Sequence, residues 1–121
     1  MTEKRGRLNL FFNMNHPKFS IIVPVLHEAK RINHLIDHLI QLDPEKMSEI
    51  IVVDGAPEKD TLLGIFDDKT RKISTEEGRA KQMNAGAFAA KGEVLVFLHA
   101  DTELPLSALK RLDEFINRNE Y

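Results

Sequence analysis

The chain has 121 residues and no cysteine, which excludes disulfide bridges, iron–sulfur clusters and thiolate zinc sites. Its 17 Lys and Arg residues nearly balance 19 Asp and Glu residues, so the formal charge is −2, without the basic surplus typical of nucleic-acid-binding domains. The 42% of hydrophobic residues fits one globular domain, and no apolar run approaches the length of about 18 residues that a membrane helix needs. We therefore expect a cytoplasmic protein with no nucleic-acid partner.

Residues 1–17 stand outside the pattern of the rest and are predicted to be a leader, followed by one domain over 18–121. Four short runs of β-branched or apolar residues predict strands at Phe19–Val23, Ile50–Val53, Arg71–Ser74 and Glu93–Leu98. Helical spacing or composition predicts helices between and after them, over Glu28–Leu42, 57–66, Arg79–Ala90 and from Pro105 onward.

This alternation of strand and helix predicts an α/β fold, with a mostly parallel sheet of about four strands flanked by helices. In such sheets, ligands bind beyond the carboxyl ends of the strands. Acidic residues follow three of the four strands, namely Glu28, Asp54 and Asp101. Carboxylates gathered at one edge favour a divalent cation, and oxygen ligands select Mg²⁺ or Mn²⁺. Taken singly, each aspartate could instead be a helix cap or an Asx turn.

The segment from Gly78 to Gly86 opens a helix with a glycine and two cations, Arg79 and Lys81. A helix N-terminus beside such cations suits an anion such as a diphosphate, although both side chains could simply be solvated. For Gly86 and the neighbouring alanines we favour a packing role, in which small residues let the helix lie close to the sheet.

Four segments together resemble the nucleotide-binding half of family 2 glycosyltransferases, which have the GT-A fold. They are Phe19–Pro24 with Glu28, Ile50–Gly55, Gly78–Gly86 and Val94–Asp101, and the resemblance covers about residues 19–118. It is strongest with the subgroup that carries a GRA-x-QMNAG helix and an LHADT strand end.

The resemblance implies a nucleotide-diphosphate-sugar donor, an acceptor of unknown identity and a divalent metal. The residues that it places against the donor are Pro24, Glu28, Asp54, Arg79, Lys81 and Asn84. Asp101 matches the last aspartate of the family's Asp-x-Asp motif and would ligate the metal that bridges the donor diphosphate. A metal there stabilises the negative charge of the leaving diphosphate.

Three positions depart from the family pattern. His99 occupies the first acidic position of Asp-x-Asp, where it could be a metal ligand or a packed residue. His27 stands where many relatives have asparagine. The segment 56–60 replaces a small, Ser-rich turn and places Lys59 at the position of the family's aspartate, so base recognition could be altered or lost.

No catalytic base is identifiable: the resemblance implies that family members have about as many residues again after the metal motif, and that this second half builds the acceptor site and carries the base. We interpret Glu103, Asp113 and Glu114 as solvated or capping residues, and His34 and His38 as surface histidines rather than zinc ligands. We expect the chain alone to show weak or absent transfer. The alternative is a non-catalytic remnant that binds a nucleotide or self-associates through exposed sheet edges. A sugar nucleotidyltransferase would need a Gly-rich basic loop after the first strand, which is absent.

Overall fold

A computed structural model of the chain describes residues 16–119, which form a single four-stranded sheet with helices. The strands are β1 (Phe19–Val25), β2 (Ser48–Asp54), β3 (Arg71–Ser74) and β4 (Val94–Phe97). All neighbouring strands are parallel, and their order across the sheet is β3-β2-β1-β4. The predicted α/β class with a parallel sheet of four strands is confirmed. Most of the predicted leader over 1–17 lies outside the described residues, and its boundary stays a prediction.

The four helices are α1 (Ile32–Gln41), α2 (Asp60–Leu63), α3 (Arg79–Ala89) and α4 (Ala108–Arg118). The first helix was predicted from Glu28 but begins four residues later. His27 has a left-handed backbone with φ 57°, and the Glu28 backbone N–H donates to the hydroxyl of Thr61, a residue of α2, at 2.8 Å. The chain between β1 and α1 is thereby held as a loop whose residues can face a ligand.

Strand β1 lies at the centre of the sheet, and six of its seven residues are buried. It continues through Pro24, where the sequence predicted an end. The Ile22 carbonyl accepts a hydrogen bond from the Leu98 backbone N–H at 3.0 Å, which is the last bond toward the β4 side. Pro24 faces the same side two residues later, so its missing N–H costs no ladder hydrogen bond.

The two faces of the sheet carry separate hydrophobic clusters. One face packs against α1 and α4, and the other packs Ile22, Ile51 and Val53 against the small residues of α3. A Cβ added to Gly86 would lie 2.5 Å from Ile22 Cγ2, closer than Cβ atoms pack in proteins, and 3.2 Å from Val53 Cγ2, which is a tight contact. Gly86 therefore sets how closely α3 approaches the sheet, which is the packing role predicted for it.

The amino end of the sheet is held by a cluster around Glu49. Its carboxylate accepts hydrogen bonds from the Ser20 hydroxyl at 2.6 Å, the Lys91 backbone N–H at 2.6 Å and the Arg71 guanidinium at 2.8 Å. Burial acts to raise the pKa of Glu49, but these three donors outweigh it and lower the pKa below its ordinary value. The cluster joins β1, β2 and β3 to the end of α3, opposite the carboxyl ends of the strands.

The two histidines of α1 differ in environment. His34 is exposed as predicted, whereas His38 is half-buried and its Nε2 lies 2.6 Å from the Leu104 carbonyl oxygen. His38 thus ties α1 to the segment before α4, a contact that the surface interpretation missed. Over residues 16–119, no helix combines the length and apolar character needed to cross a bilayer.

Candidate donor-binding site

A cavity of about 370 Å³ opens at the carboxyl ends of β1 and β4 beside the N-terminus of α3. After β1 the chain adds β2 and β3 on one side of β1, and it then adds β4 on the other side. The cavity therefore lies between β1 and β4, where the order of the strands reverses direction. Its walls are Pro24, Val25, Leu26, Glu28, Glu77, Gly78, Arg79, Gln82, His99, Ala100 and Asp101. They include Pro24, Glu28, Arg79, His99 and Asp101 of the predicted site residues, but not Asp54, Lys81 or Asn84.

The β1 side of the cavity is formed by Pro24 and Glu28. Pro24 is half-buried at the end of the strand, and the Glu28 side chain is 28% exposed. The Arg31 guanidinium reaches Glu28 at 3.5 Å, at the limit of a hydrogen bond. The Glu28 carboxylate is therefore held only loosely and can turn toward a ligand in the cavity.

The N-terminus of α3 forms a second wall. Gly78 precedes the helix with φ 147°, a conformation that strongly favours glycine, and no side chain caps the helix. First-turn backbone N–H groups of a helix have no carbonyl partner within the helix. The exposed Arg79 side chain lies beside them and adds a full positive charge. This wall combines the two features that favour a bound anion.

The other predicted residues of α3 lie away from the cavity lining. Lys81 is exposed and its Nζ donates to the Glu76 carboxylate at 3.0 Å. Asn84 is exposed further along the helix. Contacts between these two residues and a donor stay predictions.

Gln82 supports the cavity from inside the protein, and the sequence alone did not identify it as part of the site. Its side chain is inside the protein, with the residue 5% exposed. The Nε2 group donates to the Val25 carbonyl at 2.8 Å and the Val53 carbonyl at 2.9 Å, and Oε1 accepts from the Gly78 N–H at 3.2 Å. Gln82 thereby fixes the N-terminus of α3 to the ends of β1 and β2. Its position four residues before Gly86, on the sheet-facing side of the helix, is the signal that could have identified it.

The β4 side of the cavity carries His99 and Asp101, both exposed. The His99 backbone N–H donates to the Thr102 hydroxyl at 3.0 Å, which fixes the turn after the strand. Arg79 reaches across from α3, with Nη1 3.2 Å from His99 Nε2 and Nη2 3.5 Å from Nδ1. Within the described residues 16–119, the Asp101 carboxylate has no hydrogen-bond or ion-pair partner. Its oxygens are available to a cation.

Asp54 occupies a different position from the other acidic residues. It is fully buried, and its carboxylate accepts hydrogen bonds from the Ala56 N–H at 2.9 Å and the Leu62 N–H at 3.3 Å. These bonds form an Asx-type turn and hold α2 against the end of β2, the alternative that the sequence left open. Lys59 follows in a left-handed conformation and is exposed.

A second group of side chains that could bind a cation comes from the loops that follow β1 and β2 and from the start of α2. His27, Glu58 and Asp60 each offer one ligand atom, and these atoms all lie within 4.8 Å of one another. His27 Nδ1 is 3.1 Å from an Asp60 oxygen. The hydrogen bond that His27 donates to the Asp60 carboxylate, reinforced by the carboxylate's charge, raises the pKa of His27 above its ordinary value. The group already contains its own ion pair, in contrast to Asp101.

Comparison with known proteins points to one family. The family model described as Glycosyl transferase family 2 matches residues 20–121. The chain is 30% identical over 110 residues to the poly(ribitol-phosphate) beta-N-acetylglucosaminyltransferase TarS of Staphylococcus aureus, covering 84% of this chain and 19% of the relative. It is 30% identical over 114 residues to dolichol-phosphate mannosyltransferase of Saccharomyces cerevisiae, covering 86% and 43%.

A solved structure shares the fold. The mannosyltransferase PcManGT from Pyrobaculum calidifontis, in complex with GDP-Man and Mn2+, superposes with a TM-score of 0.65 and 27% identity, covering 80% of this chain and 31% of that one. The chain thus spans less than half the length of each of these three proteins.

Proposed function

Because the chain belongs to glycosyl transferase family 2, we propose that its cavity binds a nucleotide-diphosphate sugar as the donor for sugar transfer. The observation that carries the proposal is the meeting of the α3 N-terminus, Arg79 and Asp101 around one cavity. Helix N–H groups and a guanidinium are complementary to a diphosphate. A carboxylate in the same cavity would repel that diphosphate unless a cation lies between them.

We assign Asp101 as the residue that would hold a divalent cation, Mg²⁺ or Mn²⁺. Its exposed carboxylate, without a partner among residues 16–119, fits the single-carboxylate binding that Mg²⁺ often uses. The mannosyltransferase PcManGT was solved with Mn2+ and GDP-Man, which supports a divalent cation beside the donor but does not bear on which residue holds it. When bound, such a cation supplies Lewis-acid stabilisation of the leaving diphosphate.

This chain's own residues would do the remaining work of donor binding. Arg79 and the first turn of α3 orient the diphosphate, and Glu28 faces the same cavity from β1, where the resemblance places the ribose or base. We identify no general base for an acceptor hydroxyl. Asp113, one of the carboxylates beyond the metal position, is paired with Lys18. Because the chain covers less than half of its relatives, the acceptor, the sugar and complete transfer stay open predictions, as does the cytoplasmic location.

Isothermal titration calorimetry tests the donor site. UDP and GDP are titrated into the chain with and without Mn²⁺, and at least one is expected to bind in a Mn²⁺-dependent manner. Asp101→Asn removes the metal-binding charge at nearly constant volume and is expected to abolish that dependence. Asp68→Asn is the matched control, because Asp68 is exposed on a loop outside the cavity.

The same titration distinguishes the two cation-binding groups. If the ion binds at Asp101, Asp60→Asn leaves Mn²⁺-dependent binding intact while breaking the His27 ion pair. Loss of metal dependence in Asp60→Asn but not in Asp101→Asn would instead place the ion at the group of His27, Glu58 and Asp60. If the unaltered chain binds neither UDP nor GDP with Mn²⁺ present, the donor-site proposal is wrong.

A second candidate function, self-association, is favoured by the exposed edge of the sheet. Among residues 16–119, strand β4 pairs only with β1, and its residues Leu95 and Phe97 are each 40% exposed. Unpaired strand edges with apolar side chains promote pairing between chains. Light scattering after size exclusion is expected to show a dimer that Phe97→Lys converts to a monomer. The control, Phe66→Lys, lies on a distant exposed loop. A monomer in the unaltered chain contradicts this candidate.

A further inference from the structure

We propose that Arg79 blocks His99 as a metal ligand until a diphosphate withdraws the guanidinium, so that donor and metal bind cooperatively through this pair. The inference rests on the proposed donor site. It concerns a histidine at the position where the family pattern places an acidic residue. The observation behind it is the contact between Arg79 Nη1 and His99 Nε2 at 3.2 Å.

The first step is the chemistry of the contact. A guanidinium has only N–H donors and does not lose its proton in proteins, so His99 must accept. A neutral imidazole has one acceptor nitrogen, and the guanidinium lies against both ring nitrogens, 3.2 Å from Nε2 and 3.5 Å from Nδ1, so it covers the acceptor in either tautomer. A divalent cation binds imidazole through that same lone pair. Arg79 and a metal ion therefore compete for one atom.

The second step is charge. With the guanidinium against the ring, a fixed positive charge lies beside the position that a cation bound to both Asp101 and His99 would take. Like charges at such separations repel, and water only partly screens them at an exposed site. Without a diphosphate, Asp101 alone is left to hold the metal, and metal binding is weak.

The third step is the effect of the diphosphate. Arg79 is exposed and lies at the first position of α3, so its side chain can turn toward an anion at the helix N-terminus. Guanidinium–phosphate hydrogen bonds are bidentate and charge-assisted, and they are stronger than a bond to a neutral imidazole. Once Arg79 binds the diphosphate, the acceptor nitrogen of His99 becomes free for the cation beside Asp101.

By linkage, the diphosphate raises metal affinity and the metal raises diphosphate affinity by the same factor. Part of that factor arises from direct attraction between the two ligands and does not depend on Arg79. The part contributed by the pair is revealed by metal binding alone, without nucleotide. Removing the guanidinium should then release His99 and strengthen metal binding.

The experiment measures Mn²⁺ affinity without nucleotide, by electron paramagnetic resonance of the free ion. Four proteins form a double-mutant cycle: the unaltered chain, Arg79→Met, His99→Ala and the double variant. We expect Arg79→Met to tighten Mn²⁺ binding severalfold and His99→Ala to have no effect alone. In the Arg79→Met background, His99→Ala should reverse the gain. Arg118→Met, at the exposed end of α4, is the control for losing one positive charge.

A second arm repeats the cycle with saturating UDP or GDP. There His99→Ala is expected to weaken Mn²⁺ binding in the otherwise unaltered chain, with a coupling inside the ~5–150-fold range usual for linked sites. Without nucleotide, His99→Ala is compared in the unaltered chain and in Arg79→Met. The inference is overturned if the substitution changes Mn²⁺ affinity equally in both proteins, or in neither. The donor-site proposal fails on a different result, the absence of any nucleotide binding, so the two failures are distinguishable.

Discussion

Replacing Gln82 by methionine tests whether this buried amide holds the donor cavity together. Methionine keeps the length and helix propensity of the side chain but removes hydrogen bonds to the Val25 carbonyl, the Val53 carbonyl and the Gly78 N–H. Each intramolecular hydrogen bond contributes about 0.5–1.5 kcal/mol net. The Val25 carbonyl keeps a second donor, the Gly55 N–H at 3.1 Å, which limits the loss there.

We therefore expect Gln82→Met to lower the free energy of unfolding by about 2–3 kcal/mol, a large share of the roughly 5–15 kcal/mol of a typical domain. Urea unfolding followed by circular dichroism measures the change. Gln41→Met is the matched control, because Gln41 is exposed at the end of α1, and its effect should stay within about 0.5 kcal/mol. Equal effects of the two substitutions would refute the assignment of Gln82 as a tie between helix and sheet.

A pH comparison separates lost hydrogen bonds from a change of shape. Gln82→Glu keeps the shape of the side chain but places a carboxyl group against two carbonyl oxygens. The protonated carboxyl can donate its one O–H to one of these oxygens, whereas the ionised carboxylate is repelled by both. Burial and these oxygens raise the pKa of the introduced carboxyl in the folded state. The loss of folding free energy caused by the substitution is then smallest below about pH 4.3, the pKa of the group in the unfolded chain. This loss grows as the pH rises toward and through the raised pKa of the group in the folded protein. Destabilisation larger at pH 8 than at pH 5 is expected, and a pH-independent loss contradicts the proposed geometry.

Three further predictions concern other parts of the fold. The hydrogen-bond donors around Glu49 lower the pKa of its carboxyl in the folded state. The ionised carboxylate therefore stabilises the fold at pH values above its ordinary pKa, and this stabilisation is lost as the pH falls through the lowered pKa of the folded state. Glu49→Gln should thus cost about 1–3 kcal/mol at pH 7 and less at pH 3 by urea unfolding, whereas exposed Glu45→Gln should change little at either pH. Gly86→Ala should lose about 1–2 kcal/mol despite its better helix propensity, because overpacking against a buried strand outweighs that gain. In Gly64→Ala the added Cβ meets nothing closer than 3.5 Å, so an equal loss there would contradict this reasoning. Proton NMR titration should give a titration midpoint for His27 above pH 6.5, because its ion pair with Asp60 raises its pKa. A midpoint at or below pH 6.5 would show that this ion pair does not form.

The elements of the fold were predictable because local patterns specify them. The β-branched runs of β1 and β2 are buried on both faces, as a central parallel strand requires. Their boundaries were less predictable, since they depend on neighbours distant in sequence. Pro24 ends a strand in most contexts, but here β4 has already diverged, which the local sequence does not indicate.

The candidate site was only partly predictable for the same reason. Strand ends predicted that Glu28, Asp54 and Asp101 would share an edge. Glu28 and Asp101 line one cavity, whereas Asp54 is buried outside its lining. Which partner each side chain takes depends on the tertiary approach of other elements. The sequence left both a ligand role and an Asx turn open for Asp54, and only the approach of α2 decides that two backbone N–H groups occupy its carboxylate. Nor could the sequence show that Arg79 would reach His99 from another element.

The central placement of β1 has a consequence for how the chain assembles. Phe19 pairs with Ser48 on one side and with Val94 on the other, and the second closure spans more than twice as many residues as the first. The entropic free-energy cost of closing a loop rises by only about 0.6 kcal/mol for each doubling of loop length, so pairing with β4 costs little more than pairing with β2. Pairing with β4 must nevertheless wait until the later residues have been synthesised. On the ribosome, β1 can join β2 and β3 well before β4 emerges, leaving its other flank open. The cavity wall that carries Asp101 is therefore the last to form.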